Sequence, residues 1–208
     1  MTTTLAPPVG FQVDNQPLVA EGRFWRISRE RYHKMIRAGL FDEDDDYELI
    51  HGYLLKKMAK NRAHIWVVRL LMAYFTKLLI DNESWFTTRE DPIGLLESEP
   101  EPDVLIVRGK MTDFWNLPEP EDIGIAIEVS DSTLATDRSV KKPLYAAEGI
   151  EQYWIVDVNG RQIEVYTDPV REDYARKVVY GEDEAIEIVL DGVNFGRLLP
   201  TSILPPLS

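Results

Sequence analysis

The 208-residue sequence contains no cysteine. Disulfides and thiolate metal sites are therefore excluded, and a reducing cytoplasm is the simplest home for the chain. Basic residues are scarce, with 23 Lys and Arg against 36 Asp and Glu and a formal net charge of −13. Counterion-release binding to a polyanion needs a local basic surface, so strong non-specific DNA binding is disfavoured. A metal-dependent phosphodiesterase is not, because a carboxylate site depresses the formal charge until its ion arrives. No apolar run approaches a bilayer span, and the opening MTTTLAPPVG lacks the features of a signal peptide, so no membrane association is expected.

Several motifs are also missing. GxGxxG, GxxxxGK and GxSxG do not occur, which removes sequence support for nucleotide cradling and serine-hydrolase chemistry. His33, His51 and His64 do not fall into HExxH spacing, so a zinc site of that kind is not expected. Asp42, Asp44 and Asp46 resemble the start of a calcium loop, but Tyr47 and Tyr53 stand where that loop requires Gly and Glu.

Apolar residues make up 44% and charged residues 28%, as in an ordinary globular domain, and no composition break divides the chain. We expect a flexible arm over 1–22, rich in Thr, Pro and Gly, one domain over 23–195 and a tail over 196–208. Ser28 is a predicted N-cap, and Gly39 ends the helix that follows. The apolar runs 47–50 and 53–58 around His51-Gly52 predict a hairpin. Apolar residues recurring at three and four from Ile65 to Leu79 predict a long core-facing helix over 61–80. Strands are expected at 85–88, 93–96, 102–107, 124–130, 152–158 and 162–167, with weaker edge candidates at 177–180 and 186–190. Asn159-Gly160 gives the strongest hairpin signal. Asp137 is the predicted N-cap of a helix through Ala147 that Gly149 stops, and Pro143 is expected to kink it. Helices interspersed with strands predict a mixed-sheet α/β (α+β) domain.

Within this frame one stretch carries chemistry. Two apolar runs each hold one carboxylate, Asp103 opening the first and Glu128 near the end of the second. A buried carboxylate is costly unless paired or bound to a cation. Two on neighbouring strands, followed by a segment with Lys141 and Lys142, suggest a divalent metal site of the oxygen-rich kind that Mg²⁺ prefers. The bland alternative is a pair of solvated strand ends. Ser130 stands where a lysine on the Glu128 face would sit. Of the adjacent lysines, at least one is expected on a solvated helix face. Glu48, flanked by Tyr47 and Leu49, is a candidate third carboxylate, and His64, in the first turn of the long helix, reads either as a core residue or as a catalytic group.

The order of YELIHGYL, a helix opening with His64, PDVLIV, IAIEVSDST, DRSVKKPLY, AAEGIEQYWIVD and IEVY resembles the Uma2 family of endonucleases, within the PD-(D/E)xK, restriction-endonuclease-like superfamily. The resemblance spans roughly residues 25–170. It implies a restriction-endonuclease-like core, a mixed central sheet flanked by helices, and an Mg²⁺- or Mn²⁺-dependent endonuclease acting on DNA, with a homodimer as the working form. Carried over residue by residue, Asp103 is the first motif carboxylate and Glu128 the second. Lys141 of the DRxxKxxxY pattern is the migrated lysine, Glu48 the upstream acid and His64 the helix histidine. Asp103, Glu128 and Glu48 would be the metal ligands. The alternatives are a non-catalytic binding or assembly module that keeps the fold, favoured by the acidity of the chain, and a metal-dependent hydrolase of RNA or nucleotides.

Overall fold

The computed structural model describes residues 12–13, 16–17, 25–42 and 46–207. Apart from a small ladder, the expected arm over 1–22 lies outside the described residues. In chain order the elements are β1 (Gln12–Val13), β2 (Gln16–Pro17), α1 (Arg29–Arg37), β3 (Tyr47–Ile50), β4 (Tyr53–Lys56), α2 (Arg62–Leu79), β5 (Trp85–Thr88), β6 (Val104–Arg108) and β7 (Ile123–Ser130). They continue with α3 (Leu134–Thr136), α4 (Lys142–Ala147), β8 (Gln152–Asp157), β9 (Gln162–Val170), β10 (Asp173–Gly181), β11 (Ile186–Leu190) and β12 (Val193–Leu198). Among the described residues no helix is long and apolar enough to cross a membrane.

A mixed sheet in the order β10-β9-β8-β7-β6-β5 forms the centre. Every neighbouring pair is antiparallel except β7 and β8, which run parallel. A parallel pair needs a crossover, and α3 and α4 supply it. Residues alternate between the two faces of each strand. On one face Val104, Ile106, Ile125, Ile127 and Val129 pack against Val67, Val68, Leu71, Phe75 and Leu79 of α2. On the other, Leu105, Val107, Ala126 and Ile155 pack against Val140, Leu144, Tyr145 and Ala146 of the crossover. Burial of each such side chain contributes about 1.5–3 kcal/mol. With helices on both sides, all eight residues of β7 are buried, which is why its sequence reads as a nearly continuous apolar run.

Several expectations need correction. Residues 93–96 form no strand: the Ile93 and Leu95 N–H groups bond to the carbonyls of Pro100 and Ser98 in a tight loop, although both side chains are buried. Their apolarity serves the core beneath a loop, which alternation alone cannot tell from a strand. Ile65 of the predicted core stripe is exposed, because the stripe that faces the sheet runs through Val67, Val68 and Leu71. The candidates at 162–167 and 177–180 are the paired cores of longer strands, β9 and β10. Of the tail expected over 196–208, residues 196–198 continue β12, and Ile203 and Leu204 are buried in the core.

Gly124 shows why the sheet tolerates no side chain at one point. A Cβ there would lie 2.5 Å from the Trp85 ring. Trp85 itself is buried, and the β6–β7 register shifts next to this position, between Ile106 and Val107.

Candidate active site

The site lies at one end of the central strands, where five separated segments meet. Extending the β6–β7 register one step past the Val104–Ile127 pair sets Asp103 opposite Glu128. Asp103 Oδ2 accepts the Val129 N–H at 2.8 Å, which fixes its carboxylate against the end of β7. Burial works to raise its pKa, but the nearby His64 and the Val129 N–H outweigh that and hold it below the ordinary value.

His64 is delivered by the start of α2. Asn61 caps the helix, its side chain accepting the His64 N–H at 3.0 Å, and its amide also reaches Asp131 beyond β7. The ring then turns to the sheet end. Nδ1 lies 3.0 Å from the Val129 carbonyl, and Nε2 lies 3.0 Å from Asp103 Oδ1. The second contact is close without being directed as a hydrogen bond, and among the described residues Nε2 has no hydrogen-bond partner.

Lys141 arrives from the crossover. After α3 the chain makes a π-helical turn over Asp137–Lys141, closed by the Lys142 N–H on the Asp137 carbonyl. Isolated π turns of this kind occur often at functional sites. Pro143 falls in the opening turn of α4, where its fixed φ and missing N–H are tolerated, and the wider turn before it takes up the misfit. The kink expected at Pro143 therefore leaves Lys141 aimed inward. Its Nζ stands 2.9 Å from both Glu48 Oε1 and Glu128 Oε1. Burial opposes its charge, but Glu128, Glu48 and Asp137 outweigh it, so the amine is held firmly as an ammonium. Lys142 points elsewhere, to Asp173 at 2.7 Å on the surface.

Glu48, on β3, uses its second oxygen to accept the Glu101 N–H at 3.1 Å. Glu128 also receives the Tyr145 hydroxyl at 3.0 Å, and among the described residues both bonds land on Oε1. Burial drives the Glu128 pKa well up; Lys141 opposes this, while Asp137, Asp103 and Glu48 add to it.

Glu48, His64, Asp103, Glu128 and Lys141 thus line one cavity of about 220 Å³, in two halves. One half is Asp103 with His64; the other is Lys141 held between Glu48 and Glu128. Three features were not foreseen. Tyr145 bonds Glu128, four residues after Lys141 and so on the same helical face. Asp137 is not an N-cap: it lies inside the helical run and accepts the hydroxyls of Ser130 and Thr133 at 2.5 and 2.7 Å. Lys56, Lys57 and Lys60 also line the cavity, from the basic run KKMAKNR at 56–62, the local signal that the whole-chain charge conceals.

A family model described as "Putative restriction endonuclease", Uma2, matches residues 29–199. The chain belongs to the Uma2 family. Its fold is shared by the crystal structure of a putative nuclease of DUF820 from Anabaena variabilis, with a TM-score of 0.63 and 14% identity over 85% of this chain and 97% of that one. No curated protein matches the sequence. The Uma2 match covers every segment that contributes to the cavity, from β3 to α4.

Proposed function

We propose that this Uma2 protein is a divalent-metal-dependent endonuclease that hydrolyses phosphodiester bonds in DNA, using Mg²⁺ or Mn²⁺. The observation that carries the reading is the charge inventory of the cavity. Among the described residues, four carboxylates, Glu48, Asp103, Glu128 and Asp137, are buried there with a single buried ammonium, Lys141, while the less buried Lys60 lies 4.0 Å from Asp103. Buried charge of one sign calls for a counter-charge. Among the described residues no three such side chains are already arranged around one ion. The donor chemistry nevertheless suits a hard cation, because carboxylate oxygens are the ligands that Mg²⁺ and Mn²⁺ favour.

Asp103 and Glu128 would hold the ion, which when bound supplies Lewis acidity and neutralises charge at the phosphoryl group. The resemblance suggests Glu48 as a ligand too, but both of its oxygens are engaged within the protein, and we assign it to anchoring Lys141. Lys141, held as a cation, is unsuited to act as a base. Its role is to orient the attacking water and stabilise the negative charge that grows on phosphorus. Tyr145 fixes the Glu128 carboxylate. Lys60, whose ammonium lies 4.0 Å from Asp103 Oδ1, offers a counter-charge to a nucleic-acid backbone, and Lys56 also lines the cavity. A homodimer would place one site against each strand of a duplex.

Plasmid nicking with Mg²⁺ or Mn²⁺ tests the reading, with single-stranded RNA as a parallel substrate. Wild type is expected to relax supercoiled DNA and Glu128→Ala to lose at least about 100-fold in rate. Nicking that survives this substitution overturns the assignment.

A further inference from the structure

We infer that His64 is itself a metal ligand, through Nε2, and that it biases the cavity toward ions that accept nitrogen. This rests on the reading that the cavity binds a divalent ion, and it adds to that reading a nitrogen donor.

The inference starts from the tautomer. The Val129 carbonyl can only accept, so Nδ1 at 3.0 Å from it must carry a hydrogen. In the neutral ring Nε2 is then a bare lone pair. That atom is buried, makes no hydrogen bond, and stands 3.0 Å from Asp103 Oδ1, another acceptor. Two acceptor atoms at contact distance need positive charge: Lys60 Nζ supplies some from 4.0 Å away from Asp103 Oδ1, and a proton on Nε2 or a metal ion would supply the rest. The spacing suits a metal ion: two cis ligands of an octahedral ion bound at about 2.1 Å lie about 3.0 Å apart.

The surroundings are those of a prepared ligand pair. Metal-binding histidines commonly donate the other ring N–H to a backbone carbonyl, which sets ring orientation and tautomer. Here one residue serves both ligands, since Val129 accepts from His64 Nδ1 and donates to Asp103 Oδ2. The Asn61 cap fixes the helix end that carries the ring. Neither donor needs to search for its position.

An imidazole nitrogen changes which ion the site prefers. Mg²⁺ favours oxygen, whereas affinity for nitrogen donors rises from Mn²⁺ toward Ni²⁺. His64 should therefore raise affinity for Mn²⁺ and Ni²⁺ more than for Mg²⁺.

The test uses the full chain, labelled with ¹⁵N-histidine and loaded with Mn²⁺. Pulsed electron paramagnetic resonance is expected to show coupling from one directly bound imidazole nitrogen, lost in His64→Asn although His33 and His51 remain. Titration calorimetry should show Ni²⁺ and Mn²⁺ affinity falling roughly 10- to 100-fold in that variant, and Mg²⁺ affinity falling much less. Mn²⁺ bound without nitrogen coupling, coupling that persists in His64→Asn, or equal losses for all three ions overturns the inference while leaving the nuclease reading standing. Failure of wild type to bind any of the ions overturns both.

Discussion

Lys141 Nζ and Glu128 Oε1 are 2.9 Å apart inside the protein, although they stand thirteen positions apart along the chain. With Glu48 at the same distance on the other side, the ammonium is the one described cation on which both glutamates converge. Removing it leaves two carboxylates buried without their counter-charge. Lys141→Met is expected to lower the unfolding free energy by about 3–5 kcal/mol in urea titration and to abolish plasmid nicking. Lys141→Met as stable as wild type would show that the triad is electrostatically idle.

Tyr145 donates to the buried Glu128 carboxyl group. Loss of such a bond leaves that group short of a partner and costs about 1–3 kcal/mol. Tyr145→Phe should show a destabilisation of that size by chemical denaturation. Nicking should survive at a reduced rate, because Lys141 still holds Glu128.

Glu164 sets the acid stability of the crossover. It accepts from Arg138 at 2.6 and 3.1 Å, from Lys177 at 2.8 Å and from Tyr166 at 2.6 Å. Burial would raise its pKa, but these partners overcome that and lower it to about 2. A carboxylate with a depressed folded-state pKa stabilises above its unfolded value, near 4.3, and that contribution is lost as pH falls toward about 2. Arg138 and Lys177 are partly exposed, so solvent screening leaves about 1–2 kcal/mol. Thermal melts between pH 5 and pH 2 should therefore fall less steeply for Glu164→Gln than for wild type, from a lower starting point.

Gly124 lies under the Trp85 ring with no room for a methyl group. Gly124→Ala should cost about 1–3 kcal/mol through overpacking, read as a lower urea midpoint with an unchanged slope. An unchanged midpoint would mean that Trp85 moves aside freely.

Much of this arrangement was legible because its signals are local. Asp103 and Glu128 each interrupt an apolar run, Ser28 sits where an N-cap belongs, and Asn159-Gly160 marks a turn. What escaped depends on three-dimensional fit. No periodicity announces that Asp137–Lys141 widens into a π turn, because the cause is shared between Pro143 and the packing of Val140 and Leu144 on the sheet. Ile93 and Leu95 are apolar for the sake of the core beneath a loop. Asp137 has the chemistry of a cap, but the hydroxyls of Ser130 and Thr133 occupy it from the strand end and the preceding turn. That Glu48 and His64 share one cavity with Asp103 was implied only by the family resemblance, since nothing in the spacing of 48, 64 and 103 brings them together.

The parallel pairing of β7 with β8 has a consequence for biosynthesis. Strand β8 can dock only after the whole crossover has left the ribosome, and contacts between distant residues form slowly. The cavity draws on β3, α2, the start of β6, the end of β7 and the π turn, so no early fragment contains it. Under the nuclease function proposed above, a nascent chain would carry the site in pieces and complete it only when the domain closes, a built-in delay before the site could act on the nucleic acid around it.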